Sequence, residues 1–389
     1  MKDIPLFVKL LTKVTKDSKF FLHLRFIFDI YMKQLTLTLF ILMVFSISYA
    51  QNNENKIQKI KNAFQSESFN LSGYGHIQYN ISEYPERSFA SGKANNSIDI
   101  TRAFLFASGK LGTDNQFGYM LIFDFGPNSK FYELYGEWLP SKAINLRFGQ
   151  FKVPFTIENP ISLSRIETIN PSRSVSAMSG GSSDFNQFEL DGRIVSKTGR
   201  DAGLQLSGNL FPEDNFYRLE YYTGLFNGTG MNTKDNNNHK DFVGTICFNP
   251  SKEFKFGGSV YAGKYPQFMQ YYLLGNSLST RRWTIGAEYK GAQFCSRVEY
   301  IQSNDGDLKR NGYYGMLLWK SVPDEWEFVW KYDYYNNDVL FNKNAIHDIT
   351  LGVNYYFTYM SRIQLNYIYT DNQAVGKNNA LAVQFQVFF

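Results

Sequence analysis

Charged side chains in this sequence recur at alternate positions of long, aromatic-rich stretches. In residues 326–334, Glu327, Lys331 and Asp333 share one parity, and Trp326, Phe328, Trp330, Tyr332 and Tyr334 share the other. Arg297 and Glu299 oppose Phe294, Val298 and Tyr300 in the same way. Arg362, Gln364, Asn366 and Thr370 oppose Ile363, Leu365, Tyr367 and Tyr369. A period of two puts each set on one face of a strand. The chemistry open to such rows is electrostatic. A guanidinium fork matches the oxygens of a carboxylate or phosphate, and a net positive field in a narrow, dry passage favours anions. Acids on the same face would cancel that field. Glu133 and Glu137 stand beside Arg147, Glu220 shares a face with Arg218, and Glu327 and Asp333 flank Lys331. Two readings therefore stay open, an anion path or a wall of mutually paired charges.

Catalysis finds no comparable footing. The glycines of Gly224–Gly230 lack the spacing of a phosphate-binding loop and the following Lys-Ser or Lys-Thr, and they read as hairpin glycines. Of the four histidines, His23, His76, His239 and His347, none has a ligand partner at a telling offset. No cofactor, catalytic group or dedicated metal site is expected. Acidic loop tips such as Asp305 and Asp307 offer at most a weak calcium motif. The two cysteines, Cys247 and Cys295, read as free thiols on an inner face rather than a disulfide framework.

The elements that must carry these rows are β-strands. The chain ends in one: Leu381, Val383, Phe385, Val387 and Phe389 share an apolar face that runs to the last residue. A strand at the very terminus needs neighbours on both edges, and a closed barrel supplies them. Alternation predicts strands over 69–79, 98–111, 115–125, 131–139, 143–152, 200–209, 217–225, 241–249, 254–263, 281–290, 293–302, 312–321, 326–335, 347–356, 361–370 and 379–389. Their lengths suit tilted strands crossing a bilayer. With both termini on one side, the connections on that side run to at most seven residues. Most on the other side are long, including 80–97, 153–199, 226–240, 264–280, 303–311, 336–346 and 371–378. This asymmetry belongs to outer-membrane barrels. The stretch 187–196 also alternates, but a seventeenth strand would invert the asymmetry, so it falls within the long excursion. The predicted fold is all-β, a single transmembrane antiparallel β-barrel of 16 strands over residues 69–389.

Export fits this assignment. Leu35–Tyr49 is an apolar run preceded by Lys33 and closed by Ser48-Tyr49-Ala50, which reads as a signal peptide over 1–50. Met32 is a natural start, so 1–31 reads as an upstream extension. Residues 51–68 form a short periplasmic lead-in. The formal charge of +5 includes seven basic and three acidic residues within 1–50, which leaves about +1 for the rest. Such a balance gives no footing for nucleic-acid binding. Aromatic residues make up 17% of the sequence, with 27 Tyr and 36 Phe, while no long apolar run follows the leader. That is the composition of a barrel in the outer membrane.

The 47 residues from Val153 to Gly199 exceed a plain connector. Their apolar content (Phe155, Ile157, Ile161, Leu163, Ile166 and Ile169) is costly in water and favours packing against the inner wall as a constriction. The stretch Arg147-Phe148-Gly149-Gln150-Phe151-Lys152-Val153-Pro154-Phe155, with Glu158, resembles the phosphate-selective porin O and P family. Residues 200–205, residues 222–228 and the terminal strand are similar to that family as well. The resemblance implies a sixteen-stranded, commonly trimeric outer-membrane barrel with an inward-folded loop, in which arginines line the way to a basic constriction. By position, the candidates are Arg147 on the fifth strand, Lys152 at its mouth, and Arg165, Arg173, Arg193 and Arg200 from the folded-in segment or its exit. Arg218, Lys255, Arg297, Lys331 and Arg362 lie further along the wall, with Glu133 and Glu137 as acidic neighbours. The expected function is diffusion of small hydrophilic solutes, anions such as phosphate among them. The alternatives are a general non-selective porin and a structural or adhesive surface barrel, for which the aromatic 264–280 loop is the main feature.

Overall fold

The computed structural model describes residues 66–82, 96–112, 114–127, 129–179, 199–235, 238–264, 279–322, 325–340, 345–374 and 376–389. The leader, nearly all of the lead-in, the 187–196 stretch and most of the aromatic 264–280 loop lie outside them.

Sixteen strands are present: β1 (Asn70–Ser82), β2 (Asn96–Leu111), β3 (Phe117–Asp124), β4 (Lys130–Ser141), β5 (Ile144–Lys152), β6 (Arg200–Pro212), β7 (Tyr217–Phe226) and β8 (Asp241–Phe248). The second half comprises β9 (Phe254–Lys264), β10 (Ser279–Lys290), β11 (Phe294–Asp305), β12 (Leu308–Lys320), β13 (Trp326–Asn336), β14 (Ala345–Tyr356), β15 (Arg362–Asn372) and β16 (Gly376–Phe388). Each pairs antiparallel with its sequence neighbours, and β16 closes on β1. The closing register runs from Tyr74 opposite Phe388 to Ser82 opposite Ala380. The backbone of Phe389 exchanges hydrogen bonds with Gly73 at 2.9 and 3.0 Å, so the alternating terminus is a wall strand. A side chain at Gly73 would meet the Phe104 carbonyl and the Phe389 ring, which is why the closure has glycine there.

Burial is inverted relative to a soluble sandwich. On β13, Glu327, Val329, Lys331, Asp333 and Tyr335 are buried, while Trp326, Phe328 and Trp330 each stay more than 40% exposed. The apolar parity faces outward, where lipid replaces water as its solvent, and the charged parity faces the lumen.

Two connections differ from expectation. The predicted 303–311 loop is a tight hairpin, since β11 runs to Asp305, β12 starts at Leu308, and Gly306 takes the positive φ (+65°) that a two-residue turn requires. The predicted 371–378 loop shrinks likewise between Asn372 and Gly376. In both places ladder hydrogen bonding continues beyond the apolar belt, which hydrophobic alternation does not register.

Among its described residues, 153–179 and 199, the segment after β5 carries one short helix, α1 (Arg173–Met178), and otherwise irregular backbone. Asn159 clamps its neck: Nδ2 donates to the Val153 carbonyl at 2.8 Å and to the Gly199 carbonyl at 3.1 Å. Phe151, Val153, Phe155, Val175, Ala177 and Met178 join Phe226, Val243, Tyr261, Ile301, Tyr314 and Tyr335 in one apolar cluster. The apolar residues of the excursion thus bury against inward side chains of the wall.

Candidate functional site: the lumen and its crossing segment

Irregular backbone at membrane depth needs a partner for every N–H and carbonyl. The inward polar rows provide them. The Ile157 N–H donates to Glu299 Oε1 on β11 at 2.8 Å, and Thr245 on β8 donates to the Pro154 carbonyl. Gln386 on β16 reaches the Ser164 carbonyl (3.1 Å), and Arg362 on β15 reaches that of Ile166 (2.8 Å). Asn354 on β14 holds the Glu167 carbonyl (2.9 Å), and Lys331 on β13 holds Thr168 Oγ1 and the Asn170 carbonyl (both 3.1 Å). The Ile169 N–H donates to Asn366 Oδ1 at 2.8 Å. At α1, Arg282 on β10 donates to the Met178 carbonyl at 2.7 Å. Residues 153–179 are therefore tied mainly to the lumenal face of β10–β16.

Within the segment, the Ser172 N–H and hydroxyl donate to the Glu158 carboxylate at 2.8 and 2.9 Å. Outward from it, Arg297 bridges Glu167 at 2.8 Å and Glu288 at 2.9 Å. Arg173 pairs with Asp348, and its N–H donates to Asp333.

Among the described residues, the other side of the lumen is open. A cavity of about 790 Å3 lies between the segment and the inward faces of β1–β9, reaching the Thr358–Met360 turn. Arg147 faces it, paired with Glu137 at 2.9 Å and stacked 4.2 Å over the Tyr135 ring. Arg200 pairs with Glu133 at 2.7 Å, and Lys255 with Glu220 at 3.0 Å. Lys152 donates to the carbonyls of Asn159 and Ile161 and has no ion pair among the described residues. Arg165 is different. It is exposed on the segment, lines the cavity, and makes no ion pair or side-chain hydrogen bond among the described residues.

The expected acid–base neighbours are partly rearranged. Both Glu133 and Glu137 were placed beside Arg147, but only Glu137 stands opposite it in the β4–β5 register. Glu133 lies toward the far end of β4 and pairs with Arg200, where that residue opens β6. Arg218 does not bond Glu220. It pairs with Glu213 of the short turn at 2.5 Å, largely exposed at the rim. Lys331 keeps Asp333 at 3.4 Å. Arg193 lies outside the described residues.

Sequence reasoning missed one charged cluster and misplaced one of its members. Asp305, read as a loop-tip acid, is fully buried between Arg282 (3.1 Å) and Arg310. Its parity with Ser303 was the available signal, hidden by assigning 303–311 to a loop. The neutral anchors Asn354, Asn366 and Gln386 also escape sequence reasoning, because inward amides occur on any barrel wall.

The sequence matches the family profile of the phosphate-selective porin O and P over residues 69–293 and 280–389. The chain belongs to that family. It is a diffusion channel of the bacterial outer membrane. Solved structures with the same fold include the outer membrane channel DcaP of Acinetobacter baumannii, at TM-score 0.55 and 13% identity, covering 82% of this chain and 97% of that one. OmpF of Salmonella typhi aligns at TM-score 0.61 and 10% identity, again over 82% and 97%. A porin variant of Rh. blastica aligns at 0.50 and 11%, over 82% and 100%. At these identities the likeness concerns the barrel alone. No curated protein is similar enough in sequence to count as a relative of this porin.

Proposed function

We propose that residues 153–179 form the constriction of this porin and that the remaining passage, along β1–β9, favours small anions. The observation that carries this reading is Arg165. Arg147, Arg200 and Lys255 each stand against a carboxylate, so their fields largely cancel beyond a few ångströms. Lys152 is engaged by carbonyls of the segment. The guanidinium of Arg165 faces the cavity with no carboxylate bonded to it among the described residues, and in a passage walled by low-dielectric protein its field is focused. One uncompensated arginine supports preference rather than tight binding, so phosphate passes as one anion among several.

The same reading takes the barrel as a subunit of a homotrimer in outer-membrane lipid. Its support is the family resemblance together with the apolar outward belt. Chemical crosslinking in native membranes tests it, and a monomer ladder without trimer would count against it.

For the channel itself, the test is the reversal potential of the purified porin in a planar bilayer under a tenfold KCl gradient. An anionic potential that moves toward zero in Arg165→Gln is the expected result. A wild-type potential near zero would make this a general, non-selective porin.

A further inference from the structure

The cavity has a second kind of wall. On the sector formed by β1, β2 and β3, the lumenal positions facing it are Tyr74, Phe104, Phe106, Met120 and Ile122. Residues 117–123 of β3 are apolar on both faces apart from Tyr119 and the glycine at 118, so the in–out alternation that governs the other strands lapses here. Tyr74, Phe104 and Tyr132 form one buried cluster, with Phe106, Ile122 and Phe388 packed on it. Tyr74 and Phe104 are buried within that cluster, whereas Phe106, Met120 and Ile122 stay partly exposed where they line the cavity, and apolar groups turned toward an aqueous passage leave unfavourable hydration unrelieved.

Arg200, already paired with Glu133, lies behind this cluster. The Arg200 guanidinium lies 5.1 Å from the Tyr132 ring centroid. Tyr132 packs edge-on against Phe104 at 4.6 Å, and Phe104 against Tyr74 at 5.1 Å. Arg165 lines the same cavity. A solute that satisfies both features carries an anionic head and an apolar or aromatic body on one molecule.

We infer that the preferred solutes of this porin are amphipathic organic anions, aryl carboxylates and aryl phosphates among them, whose apolar body rests on the Phe106–Met120–Ile122 wall while the head meets Arg165. The inference rests on the anion preference proposed above and names the class of anion.

The test uses pairs that share a head: inorganic phosphate against phenylphosphate, and acetate against benzoate, each added to the purified porin carrying chloride current. If roughly half of a phenyl ring leaves water, the aryl member blocks at about tenfold lower concentration than its partner. The double substitution Phe106→Asn with Ile122→Asn brings that ratio toward one. Equal block by both members, in a channel with an anionic reversal potential, overturns this inference and leaves the anion preference standing. A reversal potential near zero removes both. An aryl advantage that survives the double substitution refutes the assignment to this wall.

Discussion

Arg297, on the wall strand β11, holds Glu167 of the crossing segment at 2.8 Å and Glu288 of the neighbouring strand at 2.9 Å, with its own side chain almost wholly buried. One guanidinium thereby joins wall to wall and wall to segment. Its value lies less in the pairing than in what its loss leaves behind. Removing it takes the guanidinium from Glu167 and leaves the buried Glu288 with only the exposed Lys290 at 2.8 Å, and breaking a buried pair from one side typically costs about 3–5 kcal/mol.

Arg297→Ala is therefore expected to lower barrel stability by about that amount and to loosen the segment at Glu167. Folded and unfolded barrels separate on unheated gels, so the temperature at which the folded band disappears reports the first effect. Single-channel conductance reports the second and is expected to rise. Glu167→Gln should raise conductance with a smaller loss of stability, because Glu167 is the more exposed partner and Arg297 keeps Glu288.

Arg165 makes the opposite kind of contribution. Its side chain is exposed and bonded to no partner among the described residues, and the backbone N–H bond to the Ser162 carbonyl is kept on substitution, so Arg165→Gln is expected to change stability by no more than about 0.5 kcal/mol. Its effect should appear in the reversal potential, and more strongly at low salt than at high, since screening shortens the reach of an exposed charge. A shift independent of ionic strength would point away from a field effect.

Gly149 sits inside the stretch that carries the family resemblance, and the backbone explains its presence. Its φ is +138°, and a Cβ there would stand 2.2 Å from the Leu134 carbonyl and 2.6 Å from the Tyr135 Cα. Those are backbone atoms of the paired strand, which no rotamer change can relieve. Gly149→Ala is expected to destabilise the barrel by roughly 1–3 kcal/mol, the range of backbone strain at such positions. Refolding yield into detergent or lipid, compared with Gly136→Ala, whose nearest neighbour is an ordinary contact at 3.9 Å, checks it.

Most of the architecture was legible in the residues because the membrane enforces it. An apolar outward parity, strands long enough to cross and an even count follow from solvation, and all sixteen predicted strands overlap observed ones. Legibility failed where solvation stops discriminating. Beyond the apolar belt both faces are polar, so the β11–β12 hairpin at Gly306 passed for a loop and Asp305 for its tip. On β3 both faces are apolar, so Met120 and Ile122 left no mark as lumen residues. Charge partners failed for another reason. Parity gives a face but not a height along the barrel, and height separates Glu133, which meets Arg200, from Glu137, which meets Arg147.

The neck of the segment offers the most local control over the passage. Asn159 Nδ2 bonds the Val153 carbonyl where the chain leaves β5 and the Gly199 carbonyl just before it enters β6, and its own N–H is held by Thr156 Oγ1 at 2.9 Å. Asn159→Ala removes both side-chain bonds while the Val153 and Gly199 carbonyls keep one backbone donor each, at 2.8 and 2.9 Å, so the cost is about 0.5–1.5 kcal/mol per bond lost. Because most of the segment's remaining anchors lie across the lumen on β10–β16, the loss should be felt as motion of the neck rather than release of the whole. The expected outcome is increased open-channel current noise, with mean conductance changed less than in Arg297→Ala. Asn159→Asp separates the donors from the shape: it keeps the volume, replaces the amide donor with an acceptor facing two carbonyls, and should be noisier than the alanine variant if those hydrogen bonds govern the neck.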